Sequence, residues 1–203
     1  MEIGRSAKLK QLRDEAVEQL EDLLAIKTEE ISMIQEQLSL LSKDHVRDVT
    51  MVDPYEDTGI YTGQVLNDRP HHTGTMKYED GRVYEGEWHD GRGHGQGRAT
   101  FSNGDSYEGQ YRYDQRHGTG TYRWHDGRIY AGGFYADKRQ GFGTYTWPDG
   151  ARYEGEFRDG QHEGSGTYKF ADGSVYDGEW RQGQYNGKGT CTWSDGRIYT
   201  GKC

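Results

Sequence analysis

Eight histidines and a recurring set of basic residues are the side chains whose types and spacing could do chemistry. His71 and His72 are adjacent, and His89 and His94 lie close by. Such a group serves a divalent metal when a carboxylate or thiolate completes a tetrahedral set. Neither pair has that company beside it, so no metal site is expected, and no cofactor. Serines are few and no nucleophile–base–acid arrangement stands out. The glycines lack the Gly-Lys-Ser/Thr box of a phosphate loop. No catalytic residue is nominated, and the chain reads as a non-enzyme.

Aromatic residues carry the stronger pattern. Tyr-x-Gly recurs at Tyr61, Tyr84, Tyr107, Tyr130, Tyr153, Tyr176 and Tyr199, a 23-residue step with no insertion or deletion. Position five is Val65, Trp88, Tyr111, Phe134, Phe157 or Trp180, and position fourteen is always glycine, from Gly74 to Gly189. Position eighteen is aromatic throughout, as in Phe101, Trp124 and Trp147, and an Asp-Gly or Asn-Gly pair follows. A strict period of this length means one supersecondary unit, repeated and stacked.

Each unit reads as two strands. Arg82–Trp88 alternates, placing Tyr84, Gly86 and Trp88 on one face, and Gly120, Tyr122 and Trp124 share a face in a second strand. A loop of roughly six to eight residues is expected inside each hairpin, and the Asp-Gly pair turns the chain into the next unit. The predicted fold is mostly β: an elongated, single-layer antiparallel meander of hairpins, preceded by one long α-helix. Glycines on the aromatic face leave room for a ring to lie over the backbone.

The pattern Tyr-x-Gly-x-aromatic … Gly-x-Gly-Thr-Tyr-x-Trp-x-Asp-Gly, as in residues 107–127, resembles the MORN (membrane occupation and recognition nexus) repeat. The resemblance covers residues 61–203 as six full units and a partial seventh. It implies a rod of hairpins used as a non-catalytic scaffold, in a family with ciliary, junctional-membrane and cytoskeletal members. The first unit departs from the pattern with His72 where the other units have glycine at position twelve.

Ahead of the repeats, residues 1–43 read as an amphipathic, coiled-coil-like helix with Ser6 as N-cap. Its seam is Val17, Leu20, Leu24, Ile31, Ile34, Leu38 and Leu41, interrupted by Lys27. Residues 44–60 carry Pro54 and five acids against one arginine, and read as an acidic linker. The net charge of −9 argues against nucleic acid. With no secretory or long apolar segment, the chain is expected in the cytoplasm, and the resemblance implies a cytoskeletal or ciliary assembly.

Two interaction surfaces follow. The aromatic face, Tyr84, Trp88, Tyr107, Tyr111, Trp124, Tyr130, Trp147, Tyr153 and Trp180, is nominated to bind a partner helix or coiled coil. Basic residues at positions nine to eleven, Arg92, Arg116, Lys138 and Arg139, are expected along one loop edge that could meet anionic lipid, weakly, or an acidic partner. The leading function is a scaffold for a protein partner, with a homodimer through the helix as a further possibility. The alternatives are a membrane-surface adaptor and the regulatory array of an enzyme whose catalytic domain lies elsewhere.

Overall fold

A computed structural model describes residues 17, 20, 23, 24, 27, 28, 30–35, 37 and 45–202. The chain divides into two units, Met1–Asp44 and His45–Cys203. In the first, every described residue is helical, and the longest continuous run is 30–35. One helix across 1–43 is therefore not shown. Of the seam, Val17, Leu20, Leu24, Ile31 and Ile34 are described and exposed, while Leu38, Leu41 and the Ser6 cap lie outside the described residues. Lys27 meets Glu30 at 2.6 Å on the surface.

The second unit is one sheet of fourteen antiparallel strands in sequence order. They are β1 (His45–Val52), β2 (Thr58–Leu66), β3 (Arg69–Tyr78), β4 (Val83–His89), β5 (Arg92–Thr100), β6 (Ser106–Arg112) and β7 (Gln115–Arg123). The meander continues with β8 (Ile129–Tyr135), β9 (Lys138–Thr146), β10 (Arg152–Arg158), β11 (Gln161–Lys169), β12 (Val175–Arg181), β13 (Gln184–Thr192) and β14 (Ile198–Lys202). The supposed linker contributes β1, which pairs with β2 from Val52↔Thr58 to His45↔Gln64. It is a peripheral, largely exposed strand, so its sequence carries no core alternation.

The loop expected within each hairpin is instead a two-residue turn. Asp90-Gly91 has φ of 50° and 77°, and Tyr113-Asp114 has 50° and 68°. Two successive positive φ values define the type I′ turn, whose twist matches that of the strands it joins. Positions nine to eleven therefore lie in strands. The glycine at position twelve serves a bulge, where the register skips from Gly109↔Gly120 to Tyr111↔Arg116. Gly118 takes φ 57° there, and His72 takes φ 56° at the matching place in the first unit. Histidine is one of the side chains that tolerate this left-handed region.

Position four closes the bulge. Gln110 Oε1 accepts the Thr119 amide at 2.8 Å, and Glu87 Oε1 accepts the Gln96 amide at 3.0 Å. Between units, the Asp-Gly pairs do form turns: Asp80 and Asp126 each accept the amide two residues on, at 2.9 and 3.1 Å.

Register explains the core. Gly109 pairs with both Gly97 and Gly120, so the glycines form a ladder across the sheet. The ring of each Tyr-x-Gly tyrosine lies on that ladder. A Cβ at Gly120 would stand 2.3 Å from Tyr107 Oη. Folded flat, the tyrosine donates its hydroxyl to the carbonyl three residues on, as Tyr107 does to Gln110 at 3.0 Å and Tyr61 to Gln64 at 2.7 Å.

Candidate functional site: the aromatic face

The tyrosines at position one alternate with the rings at position five. Tyr84–Tyr111, Tyr111–Tyr107, Tyr107–Phe134, Phe134–Tyr130 and Tyr130–Phe157 meet at centroid distances of 4.9–5.2 Å, all edge to face. That geometry sets a ring's positive edge against its neighbour's negative face. Trp88 and Trp180 extend the row and donate their indole N–H to the Gly74 and Gly166 carbonyls, at 3.0 and 2.8 Å.

This inner row is the core. Of the nine residues nominated for the aromatic face, Tyr84, Trp88, Tyr107, Tyr111, Tyr130, Tyr153 and Trp180 are buried in it. Only Trp124 and Trp147 remain partly accessible. They belong to a second, outer row built by positions sixteen and eighteen. Phe101, Tyr122, Trp124, Tyr145, Trp147, Tyr168 and Phe170 follow one another at 4.4–5.9 Å. Most of these rings are half-buried, so the row is a ribbon of aromatic surface on one face of the sheet. Phe101, Tyr122, Tyr145, Tyr168 and Phe170 went unnominated, although the position-eighteen aromatics were visible in the period.

One buried carboxylate anchors the ribbon. Asp105 accepts the Tyr122 hydroxyl at 2.7 Å and the His125 amide at 2.9 Å. Burial alone would raise its carboxyl, but these donors and the His125 ring hold it well below the usual carboxylate range.

The basic residues separate into two kinds. Arg116 and Arg139 lie on the aromatic face: the Arg116 guanidinium carbon is 5.0 Å from the Tyr122 ring centre and 5.6 Å from Phe134. Arg139 takes the equivalent place over Tyr145 and Phe157, at 5.2 and 5.6 Å. Arg116 also binds Asp137 at 2.9 Å, and Arg139 donates to the Gly160 carbonyl at 2.6 Å. Lys138 instead pairs with Asp159 at 2.9 Å on the exposed surface, and Arg92 lies 6.0 Å from the Tyr55 ring. All four lie at the starts of strands rather than in loops, and three are engaged by oxygen acceptors.

Histidines form a row of their own, with His71–His72, His71–His89 and His89–His94 centroids 5.1, 5.1 and 5.7 Å apart. Among the described residues no group of three or more His, Cys, Asp or Glu side chains could hold a metal ion. Nor, among them, is any helix long and apolar enough to cross a membrane.

Comparison with known proteins gives the pattern a name. The MORN repeat matches residues 61–81, 84–106, 107–127, 130–152, 153–175 and 176–196, more than half of the chain. No curated protein matches. Among solved structures, the SAS-4 (dCPAP) TCP domain of Drosophila melanogaster, in complex with a proline-rich motif of Ana2 (dSTIL), is 14% identical with a TM-score of 0.39. That match covers 75% of this chain and 94% of that one. The wild-type TCP10 domain of Danio rerio CPAP is 15% identical with a TM-score of 0.33, covering 75% and 88%.

Proposed function

The chain belongs to the MORN-repeat family, and from that premise we propose that it is a non-catalytic scaffold whose outer aromatic ribbon receives a segment of a protein partner. The observation that carries this reading is the unbroken run of rings from Phe101 to Phe170, all of them partly accessible except the buried Tyr145. Rings already ordered by their neighbours bind at low entropic cost, and aromatic clusters dominate protein interfaces. A helix or coiled coil laid across the ribbon is the partner form proposed here, in a cytoplasmic assembly of cytoskeletal or ciliary type. The membrane-adaptor reading loses its main support, because the nominated cations are largely paired within the chain.

The test uses the full chain and a double variant, Trp124→Ala with Trp147→Ala. Proteins captured from a cell extract are compared after circular dichroism shows equal strand content. A specific partner retained by the parent and lost by the variant supports the ribbon. Equal capture by both sends the interaction elsewhere.

A second reading concerns assembly. We propose that residues 1–43 form a single long helix that pairs with a second copy, supported by the exposure of Leu20, Leu24, Ile31 and Ile34. An uncovered apolar side chain forgoes about 1.5–3 kcal/mol of burial. Light scattering of the parent and of a Leu24→Glu, Ile31→Glu variant tests it: a dimer in the first and a monomer in the second is expected. A monomeric parent at tens of micromolar would refute pairing.

A further inference from the structure

In four of the six units position ten supplies a planar group to the tyrosine at position one, while the first unit has Pro70 there. Arg116 lies over Tyr107 and Arg139 over Tyr130, at 5.9 and 5.8 Å. His162 stacks on Tyr153 at 3.7 Å and 14°, and Tyr185 lies 4.0 Å from Tyr176. In the unit that begins at Tyr84 the residue in this register is Gly93, opposite Trp88 in the ladder. Tyr84 is the least covered of the six, 7% exposed where Tyr61, Tyr107, Tyr130 and Tyr153 are 0% and Tyr176 is 1%.

Of the arginine's four surroundings, three have a like counterpart one unit earlier, and Ala99 stands in place of the Tyr122 ring. Arg116 is held by Tyr107, Tyr122, Phe134 and the Asp137 carboxylate. One unit earlier, the matching residues are Tyr84, Ala99, Tyr111 and Asp114. All four line an open cavity of about 420 Å³, together with Trp88 and Phe101. Even the backbone bond repeats: Asp137 Oδ1 accepts the Arg116 amide at 3.0 Å, and Asp114 Oδ1 accepts the Gly93 amide at 2.6 Å. What differs is the side-chain contact. Asp114 Oδ2 and Tyr111 Oη are shut off from solvent and make no hydrogen bond of ordinary geometry, although the Tyr55 hydroxyl acts on the Asp114 carboxylate.

We infer that this cavity is a specificity pocket for an arginine side chain of the partner, which would occupy the place that Arg116 and Arg139 fill from within their own units. A guanidinium is planar, stacks on rings and donates to a carboxylate, whereas an ammonium does only the last well. Charge fits too. Arg82 at the rim is committed to Asp57 and Asp80, and Arg116 to Asp137. Burial holds the Asp114 carboxyl above its usual range, against the Gly93 amide, the nearby Tyr55 hydroxyl and the charge of Arg92. Asp114 feels the charge of Arg92 but forms no ion pair among the described residues. The inference rests on the scaffold reading for the source of the arginine, but the pocket can be probed without a partner.

N-acetyl-arginine amide is titrated into the full chain while the ring resonances of Tyr84 and Tyr111 are followed by NMR. N-acetyl-citrulline amide, the same shape without the charge, and N-acetyl-lysine amide are the controls. Saturable shifts with the arginine probe are expected, with citrulline weaker by about tenfold or more, since a bond to a charged group outweighs a neutral one. Asp114→Asn is expected to weaken the arginine probe to the level of citrulline. Gly93→Arg is expected to abolish binding and raise Tm, with Tyr84 yielding slightly because a Cβ at residue 93 stands 3.0 Å from its ring. Equal binding of arginine and citrulline, or an unchanged affinity in Asp114→Asn, overturns the pocket. If a partner depends on Trp124 and Trp147 while the arginine probe gives no saturable shift, the ribbon stands and the pocket falls. Arginine-specific shifts without a ribbon-dependent partner support the pocket and sink the scaffold reading.

Discussion

The inner and outer aromatic rows occupy the same face of the same sheet, yet one is core and the other, Tyr145 apart, is partly open to solvent. The difference comes from the glycine ladder. A position-one tyrosine can fold onto two glycines, reach a carbonyl with its hydroxyl and be covered by the next ring. The position-sixteen and position-eighteen rings have no such bed and meet one another stacked or tilted. Aromatic content alone therefore does not mark a binding face; whether the ring lies over the glycine ladder decides.

Truncating each row in turn is the sharpest way to break that comparison. Phe134→Ala removes a ring 5% exposed and contacting Tyr107 and Tyr130, so a loss of about 3–5 kcal/mol is expected. Trp147→Ala, in the outer row, should cost less than half as much despite deleting a larger ring. Urea denaturation of both variants reads the difference. Equal losses would show that the two rows are energetically one core.

The ladder itself is tested by Gly120→Val. Its Cβ would stand 2.3 Å from Tyr107 Oη and 2.5 Å from Cζ, forcing the ring off its hydrogen bond. Overpacking of this kind costs about 1–3 kcal/mol. Thr121→Val, one residue on and facing the other way, should stay within about 0.5 kcal/mol. A melting temperature unchanged by Gly120→Val would place that glycine outside the core.

How much of this was legible in the residues depended on what each position does. The 23-residue period names the strands, the Asp-Gly turns and the glycines under the rings, because those roles need one residue type each. The hairpin turn was hidden. Asn67-Asp68, Tyr113-Asp114 and Ala136-Asp137 end in aspartate where Asp90-Gly91, Asp159-Gly160 and Gln182-Gly183 end in glycine, so no one residue type marks the turn, while the bulge glycine draws attention to the wrong place. Glu87, a solvated acid by its pattern, caps the bulge amide through a register skip that alternation does not reveal. The split of the aromatic residues into two rows was equally hidden, since Tyr107 and Tyr122 sit directly opposite each other and differ only in what lies beneath them. β1 gave no signal because it buries little.

A pH titration sharpens the contrast between units. His162 replaces the stacked arginine on Tyr153, and burial, with Arg139 nearby, pushes its pKa down to about 4. An unfolded histidine titrates near 6.5. Between those values the unfolded chain binds a proton that the folded chain refuses, so stability is complete above about pH 6.5 and declines towards pH 4. His162 accounts for up to about 3 kcal/mol of that decline. His71 and His94, also shifted down chiefly by burial, act in the same direction. His162→Tyr, which copies Tyr185 at the same position, should flatten the curve. A slope unaltered by this change would mean that the histidine is already protonated in the fold.

The smallest expected effect separates cations that look alike in the sequence. Arg116→Gln and Arg139→Gln should each cost about 0.5–2 kcal/mol, because each guanidinium is stacked among rings and hydrogen-bonded. Arg92→Gln and Lys138→Gln should change stability by less than about 1 kcal/mol, since Lys138–Asp159 is an exposed pair. Flotation on phosphatidylserine vesicles provides the second readout. If these residues formed one lipid-binding edge, all four changes would weaken flotation together and salt would abolish it, with exposed charges screened over about 10 Å at 0.1 M. The expected result is the reverse: little flotation from the parent, and a stability loss confined to the two arginines on the aromatic face. Strong flotation lost equally in all four variants would restore the basic edge as a membrane surface.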